Sequence, residues 1–139
     1  MSAIDAQDLI ERYIGVWNEA DPRIRRETVR ELWAEDGVHV LRPPAEMHDS
    51  AVSLGFGTAV LEARGHDELH ARVTRAYEEF VAPGTYVFRI GESARRLHDA
   101  VTFRWESFHT GEGRVTGGGL EFLLLDEEGR IKADYQFVD

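Results

Sequence analysis

Two carboxylates near the end of the chain, Glu121 and Asp134, are the residues whose types and spacing are best suited to chemistry. They lie in the stretch 117–139, GGGLEFLLLDEEGRIKADYQFVD, which reads as two long strands joined by the tight turn Asp126-Glu127-Glu128-Gly129. So short a loop largely sets the register of an antiparallel pair. Pairing Leu125 with Arg130 puts Leu124 opposite Ile131 and Glu121 opposite Asp134. Strand side chains alternate, so Glu121, Leu123, Asp134 and Gln136 share one face, and Leu120, Phe122, Leu124, Ile131, Ala133, Tyr135 and Phe137 share the other. If the first face lines a pocket, the two carboxyls repel each other, and one keeps its proton near neutrality while the other serves as a base. If it faces solvent, they are surface charges or partners for Arg104 or Arg130.

Few other groups compete. His66 and His70 have the i, i+4 spacing of metal ligands, but no third ligand is placed by the sequence, and a solvated helix face explains them as well. No Ser-His-Asp arrangement and no glycine-rich phosphate loop is readable, and the absence of cysteine removes the thiol nucleophile and the disulfide. Neither a cofactor nor a metal is expected. Gly117-Gly118-Gly119 inside a strand reads as a bulge or tight bend.

The elements that must position these groups follow from periodicity. Ser2 followed by Asp5 has the pattern of a helix start, and Ile10, Tyr13, Ile14 and Trp17 recur at helical spacing, giving a first helix from about Ala3 to Ala20. Asp21-Pro22 starts a second, with Ile24, Thr28, Val29, Leu32 and Trp33 as its buried stripe and Glu35-Asp36-Gly37 as its end. Val38 to Leu41 reads as a short strand stopped by Pro43-Pro44. The aperiodic connection of about 43–64, with Leu54-Gly55-Phe56-Gly57 in it, is a candidate mobile cover, with a short helix or strand near Thr58 to Glu62 as an equal alternative. Leu69, Val73, Ala76, Tyr77 and Phe80 then mark an amphipathic helix from Asp67 to Pro83. Four strands follow, around Tyr86–Phe88, Val101–Trp105, Val115–Leu125 and Ile131–Val138. The order indicates an α+β domain, with helices on one face of a curved, mostly antiparallel sheet.

The bulk numbers bound the rest. A chain of 139 residues, 42% hydrophobic, suits one compact domain spanning 1–139. The net charge of -10 argues against a nucleic-acid partner. Short, charge-interrupted apolar runs exclude a membrane-spanning helix, and the opening residues lack the pattern of a signal peptide, so a cytoplasmic location is expected.

Several segments, taken together, resemble a known superfamily. They are Arg12-Tyr13-Ile14-Gly15-Val16-Trp17-Asn18-Glu19-Ala20-Asp21, Leu32-Trp33-Ala34-Glu35-Asp36-Gly37, Arg64-Gly65-His66-Asp67-Glu68-Leu69, Gly119-Leu120-Glu121-Phe122 and Asp126-Glu127-Glu128-Gly129-Arg130-Ile131. In order and spacing they resemble the nuclear-transport-factor-2-like superfamily, which includes the SnoaL-like polyketide cyclases, ketosteroid isomerase and limonene epoxide hydrolase. The resemblance implies a cystatin-like α+β barrel: a cone-shaped sheet whose three helices, from the N-terminal half, close a pocket, commonly in a homodimer. It places Glu121 where ketosteroid isomerase has a protonated oxyanion-hole aspartic acid, and Tyr13 on that enzyme's oxyanion-hole tyrosine. Such a pair can stabilise a developing enolate. The isomerase's base falls on Leu41, or Arg42 one residue along, so proton transfer passes to Asp134 or to His39 on the same strand. Arg104-Trp105-Glu106 resembles the Arg-x-Asp pair of the epoxide hydrolase, although both charges are equally compatible with the outer face.

The resulting expectation is a cofactor-free isomerase, cyclase, dehydratase or hydrolase acting on a small, apolar carbonyl or epoxide compound. Tyr13, Glu121, Asp134 and His39 form its catalytic set, and Trp17, Trp33, Leu41, Phe56, Trp105, Leu123 and Gln136 line its pocket. The alternative is a non-catalytic ligand-binding or dimerisation module, since fold does not determine function. If the carboxylates face inward, Leu120, Phe122, Leu124, Ile131, Tyr135 and Phe137 form an apolar outer face that a second copy would cover.

Overall fold

The computed structural model describes residues 5–43, 45–55 and 61–139. Helix α1 spans Ala6–Trp17 and α2 spans Pro22–Leu32. Strand β1 follows at Trp33–Arg42, then helix α3 at Ala45–Ser53, strand β2 at Leu61–Arg64 and helix α4 at Gly65–Ala76, continued by a π-helical turn at Tyr77–Val81. The remaining strands are β3 (Tyr86–Leu97), β4 (Ala100–His109), β5 (Arg114–Leu125) and β6 (Ile131–Val138). The sheet has the order β2-β1-β6-β5-β4-β3; only the β1–β6 pair is parallel, and β2 and β3 form its two edges. This is the α+β architecture expected, with one helix and one strand more. Both additions lie in the connection 43–64: α3 fills its first half, and β2 pairs antiparallel with β1.

Local chemistry explains the boundaries. Asp5 caps α1 by accepting from the Gln7 backbone N–H at 2.9 Å, and Asp21 does the same for Arg23 at 2.9 Å, with Pro22 in the first turn. The cap expected at Ser2 falls outside the described residues. The second helix ends sooner than Glu35. Trp33 already belongs to β1, which carries a bulge between Trp33 and Val38. Gly37 sits in that bulge because a Cβ there would stand 2.8 Å from the Ile131 carbonyl oxygen. The indole of Trp33 is nonetheless fully buried, so its place in the core is as expected.

Helices α1, α2 and α4 pack on the inner face of the sheet. Ile10, Tyr13, Ile14 and Trp17 of α1, Val29 and Leu32 of α2, and Leu69 and Val73 of α4 join Val101, Phe103, Leu123, Leu125 and Ile131 in one core. A charged residue anchors the frame as well. Arg25, 2% exposed, donates to the Glu19 and Ala20 carbonyls and to Thr74 Oγ1, and its guanidinium lies 4.7 Å from the centre of the Tyr77 ring. It ties the α1–α2 connection to α4. At the β3 edge, the Asn18 side chain donates to the Phe88 carbonyl at 2.8 Å and accepts from the Phe88 N–H at 3.0 Å; Gln7 Oε1 accepts from Ala94 N–H at 3.2 Å. Both ends of α1 are thereby fastened to the free side of β3.

The β5–β6 hairpin departs from the expected register in an instructive way. The turn takes in Arg130: Asp126 N–H donates to the Arg130 carbonyl at 2.8 Å, and Asp126 Oδ1 accepts from the Glu128 and Arg130 N–H groups at 2.9 Å each. Leu125 therefore pairs with Ile131, and a further bulge at Lys132 brings Leu124 opposite Ala133. Each step shifts the ladder by one residue. From Ala133 onward the two shifts add to an even number, so the faces are those expected, but Glu121 stands opposite Gln136, and Leu123 opposite Asp134. Ile131 has undergone only the first shift, so it points inward, fully buried beside Leu125. It is not part of the outer apolar face.

Candidate functional site

The inner face of the sheet brings Glu121, Asp134 and His39 under the first helix. Asp134 on β6 lies between Leu123 of β5 and His39 of β1 in the ladders, and Glu121 is two residues from Leu123 on the same face. Tyr13 reaches them from the middle of α1. Its hydroxyl lies 2.6 Å from Asp134 Oδ2 and 3.1 Å from Glu121 Oε2. All four side chains are at most 1% exposed. Polar residues buried this deeply are uncommon, and the apolar surroundings strengthen every interaction among them.

The electrostatics follow from that burial. Desolvation, and then the neighbouring Asp134, push the Glu121 carboxyl well above the ordinary carboxylate range, which favours its protonated form. Burial, followed by the neighbouring carboxyls of Asp134 and Glu121, raises the Tyr13 phenol well above its usual value, which keeps it a donor. Desolvation lowers the His39 pKa; Asp134 opposes this and Arg72 reinforces it, leaving a neutral imidazole. A tyrosine has one hydroxyl hydrogen to donate, and it lies within reach of both carboxyls, 2.6 Å from Asp134 and 3.1 Å from Glu121. The hydroxyl thereby links the two carboxyls. Glu121 Oε1, Asp134 Oδ1 and His39 Nε2 are buried without a well-formed hydrogen bond of their own.

Aromatic rings wall this cluster. The Tyr13 ring centre lies 5.5 Å from that of Trp33, 5.6 Å from Phe103 and 6.1 Å from Trp17, and Trp17 lies 5.5 Å from His39. Leu123 is fully buried opposite Asp134, while Leu41 and Gln136 are half-buried partners in the β1–β6 ladder. Trp105 is further along the inner face, against Phe88, with its indole over Gly119, where a Cβ would stand 2.7 Å from the ring. The glycine is required by that close approach. Phe56 lies outside the described residues.

Two sequence readings are placed elsewhere. Arg104 and Glu106 project from the outer face, where Arg104 pairs with Asp139 at 2.5 Å and Glu106 with Arg89 at 2.7 Å, so they take no part in the buried cluster. His66 bonds through Nε2 to the Trp33 carbonyl at 2.8 Å, and His70 lies 3.4 Å from Thr74; the pair has a packing role. Conversely, Phe103 and Arg72 belong to the site and had no signal beyond an apolar alternation and one arginine among many. Arg72 Nη1 on α4 is 2.9 Å from His39 Nδ1, 3.2 Å from the His39 carbonyl and 3.3 Å from the Leu61 carbonyl.

A ring nitrogen of His39 and one oxygen each of Glu121 and Asp134 lie within 4.8 Å of one another, a spacing that could hold a metal ion. One feature of the donor set opposes it: the Arg72 guanidinium already brings a positive charge to His39. A separate open cleft of about 750 Å³ lies outside this cluster, between the start of α1, the end of α2 and the β5–β6 turn, lined by residues such as Asp8, Arg12, Glu31 and Arg130. Its lining holds none of the four clustered side chains. No described helix is long and apolar enough to cross a membrane.

No protein-family model matches the sequence, and no curated protein shows significant sequence similarity to it. Solved structures do. A candidate isomerase of the SnoaL-like family from Agrobacterium tumefaciens superposes with a TM-score of 0.76 at 23% identity, covering 98% of this chain and 99% of that one. A protein of unknown function with a cystatin-like fold from Methylobium petroleophilum gives 0.63 at 21% identity, over 96% of this chain and 74% of that one. A nuclear-transport-factor-2-like protein of unknown function from Mesorhizobium loti gives 0.61 at 16% identity, over 99% and 97%. With its helices packed inside a curved six-stranded sheet, the chain has the fold of the nuclear-transport-factor-2-like superfamily.

Proposed function

We propose that this protein takes a small, largely apolar carbonyl compound against the Tyr13–Glu121–Asp134 cluster and acts on it without a cofactor, as an isomerase, cyclase or dehydratase. The observation that carries this reading is the buried tyrosine hydroxyl bonded to two buried carboxyls, with the pKa of Glu121 pushed up by desolvation. Asp134 removes a proton from the carbon beside the carbonyl. The C–H electron pair becomes a C=C bond, and the carbonyl oxygen becomes an enolate oxygen. The Glu121 O–H and the Tyr13 O–H turn to that oxygen as donors. Return of the proton to another carbon completes an isomerisation; departure of a β-hydroxyl as water completes a dehydration. Epoxide opening is less favoured, because Arg104 and Glu106 are paired on the outer face.

A second reading, a non-catalytic binding module, is supported by the completeness of the burial: at 0–1% exposed, the polar groups serve one another. Exchange of the α-protons of 2-tetralone for deuterium, followed by NMR, separates the two. The catalytic reading expects exchange above the buffer rate that Asp134→Asn abolishes and Glu121→Gln strongly lowers. Saturable binding of 2-tetralone with no exchange would establish the binding module instead. We also propose a symmetric dimer through the outer face, on Leu120, Phe122, Leu124, Tyr135 and Phe137, of which Tyr135 is 37% and Phe137 44% exposed.

A further inference from the structure

His39 has its two ring nitrogens in unlike surroundings. Nδ1 meets Arg72 Nη1 at 2.9 Å, whereas Nε2 is buried beside the carboxyls of Glu121 and Asp134, with the Gln136 side chain near the ring and no well-formed hydrogen bond at Nε2. A guanidinium has donors and no acceptor and stays protonated in proteins, so the nitrogen facing it must present a lone pair. In a neutral imidazole the hydrogen is then on the other nitrogen. We propose that Arg72 is a positioning residue that holds His39 in its Nε2–H form, making it a hydrogen-bond donor toward the carboxyl cluster and not the base that its strand position suggests.

The fastening is rigid on both sides. The two hydrogens of Arg72 Nη1 are shared among His39 Nδ1, the His39 carbonyl and the Leu61 carbonyl, so one atom of α4 orients both the ring and its backbone. The Trp17 ring, 5.5 Å away, packs against the imidazole. The charged and titratable groups around His39 are Arg72 from α4, Asp134 from β6, Glu121 from β5 and Tyr13 from α1. With Nε2 protonated, no ring lone pair is left for a metal, so the His39–Glu121–Asp134 trio works by hydrogen bonds. On the carbonyl-compound reading above, His39 becomes a third donor beside Tyr13 and Glu121, and Asp134 is left as the sole acceptor of a substrate proton.

Long-range ¹H–¹⁵N spectra of histidine-labelled, ligand-free protein test the tautomer directly, and do so whether or not the protein turns anything over. The expected result is a neutral Nε2–H ring for His39 in the wild type, kept in Arg72→Lys, which retains a donor, and lost to a mixture or to Nδ1–H in Arg72→Met. A wild-type ring with the hydrogen on Nδ1 overturns the proposal, as does an Arg72→Met ring that remains wholly Nε2–H. Should Arg72→Met fail to fold, Arg72→Ala takes its place in the same spectrum, with the same expected and overturning outcomes. If the 2-tetralone exchange is catalysed, Arg72→Met lowers its kcat by about tenfold or more, with partial recovery in Arg72→Lys, the usual scale for loss of a group that orients a histidine. An Nε2–H wild-type ring that Arg72→Met loses, with no exchange in any form, sustains the role of Arg72 and rejects only the catalytic reading.

Discussion

The two faces of the β5–β6 hairpin invert the ordinary pattern of a soluble protein. The inner face buries two carboxyls, Glu121 and Asp134, at 0% exposure, while the outer face leaves Tyr135 and Phe137 exposed at 37% and 44%. A buried polar group and an exposed aromatic are each more informative than a buried leucine, because each costs stability unless something offsets it. On the inner face the offset is internal: the Tyr13 hydroxyl bonds both carboxyls. On the outer face the Phe122 and Tyr135 rings lie 6.2 Å apart, yet Tyr135 and Phe137 stay exposed. The same strands thus have chemistry on one side and an unfinished contact on the other.

The contrast can be broken most forcefully from inside. Glu121→Gln keeps the shape but substitutes a weaker donor, and we expect the exchange reaction to fall about 10²–10³-fold, as when an oxyanion donor is removed. Tyr13→Phe should cost a similar factor in exchange. It should also cost about 1–3 kcal/mol in stability, measured by urea unfolding, because Asp134 Oδ2 loses its donor in a buried site. Unchanged exchange in both would show that the buried cluster is structural.

From outside, Phe137→Lys should convert a dimer to a monomer in sedimentation analysis and leave exchange within about twofold per active site. A wild type that sediments as a monomer at micromolar concentration would remove the dimer and leave the exposed aromatics to another explanation.

A gentler probe is pH. The folded-state pKa of Glu121 is raised above its unfolded value, so its contribution to stability is fully present below about pH 4.3 and is lost as pH rises through the folded pKa, at up to about 1.4 kcal/mol per pH unit. His39 acts in the opposite sense. Its folded pKa is lowered, so its contribution is present above about pH 6.5 and is lost as pH falls through the folded value. Unfolding measured across pH should therefore show a decline toward alkaline pH that Glu121→Gln flattens. A decline of the same size in the variant would place the titration elsewhere. The smallest effect is expected from Arg104→Ala, an exposed pair with Asp139, at about 0–1 kcal/mol and no change in exchange.

Much of this arrangement was legible beforehand, for specific reasons. Alternation needs only parity, so Glu121 and Asp134 share the inner face although the turn and the bulge at Lys132 shift the register by two. Ile131 was misplaced because only one of those shifts precedes it, and a bulge has no reliable sequence mark without glycine. Tyr13 came from helical period and from resemblance together. Arg72 was invisible: α4 places it by three-dimensional proximity to His39, and sequence distance says nothing of a contact across 33 residues. Arg104 and Glu106 were ambiguous because the turn before β5 left their facing open; the ladder with Leu120 and Gly118 settles it outward.

The side chains of Gln7 and Asn18 along β3 have one more consequence. A twelve-residue edge strand offers a row of free amides and carbonyls to any passing extended chain, and this is how sheets nucleate aggregation. Helix α1 occupies that row at Phe88 and Ala94, so it acts as a gatekeeper while also carrying Tyr13 to the buried cluster. Any loosening of α1 that opened the interior would also bare the edge. Solubility and access to the interior are therefore coupled through one helix, and variants selected for faster entry should be the first to form fibres.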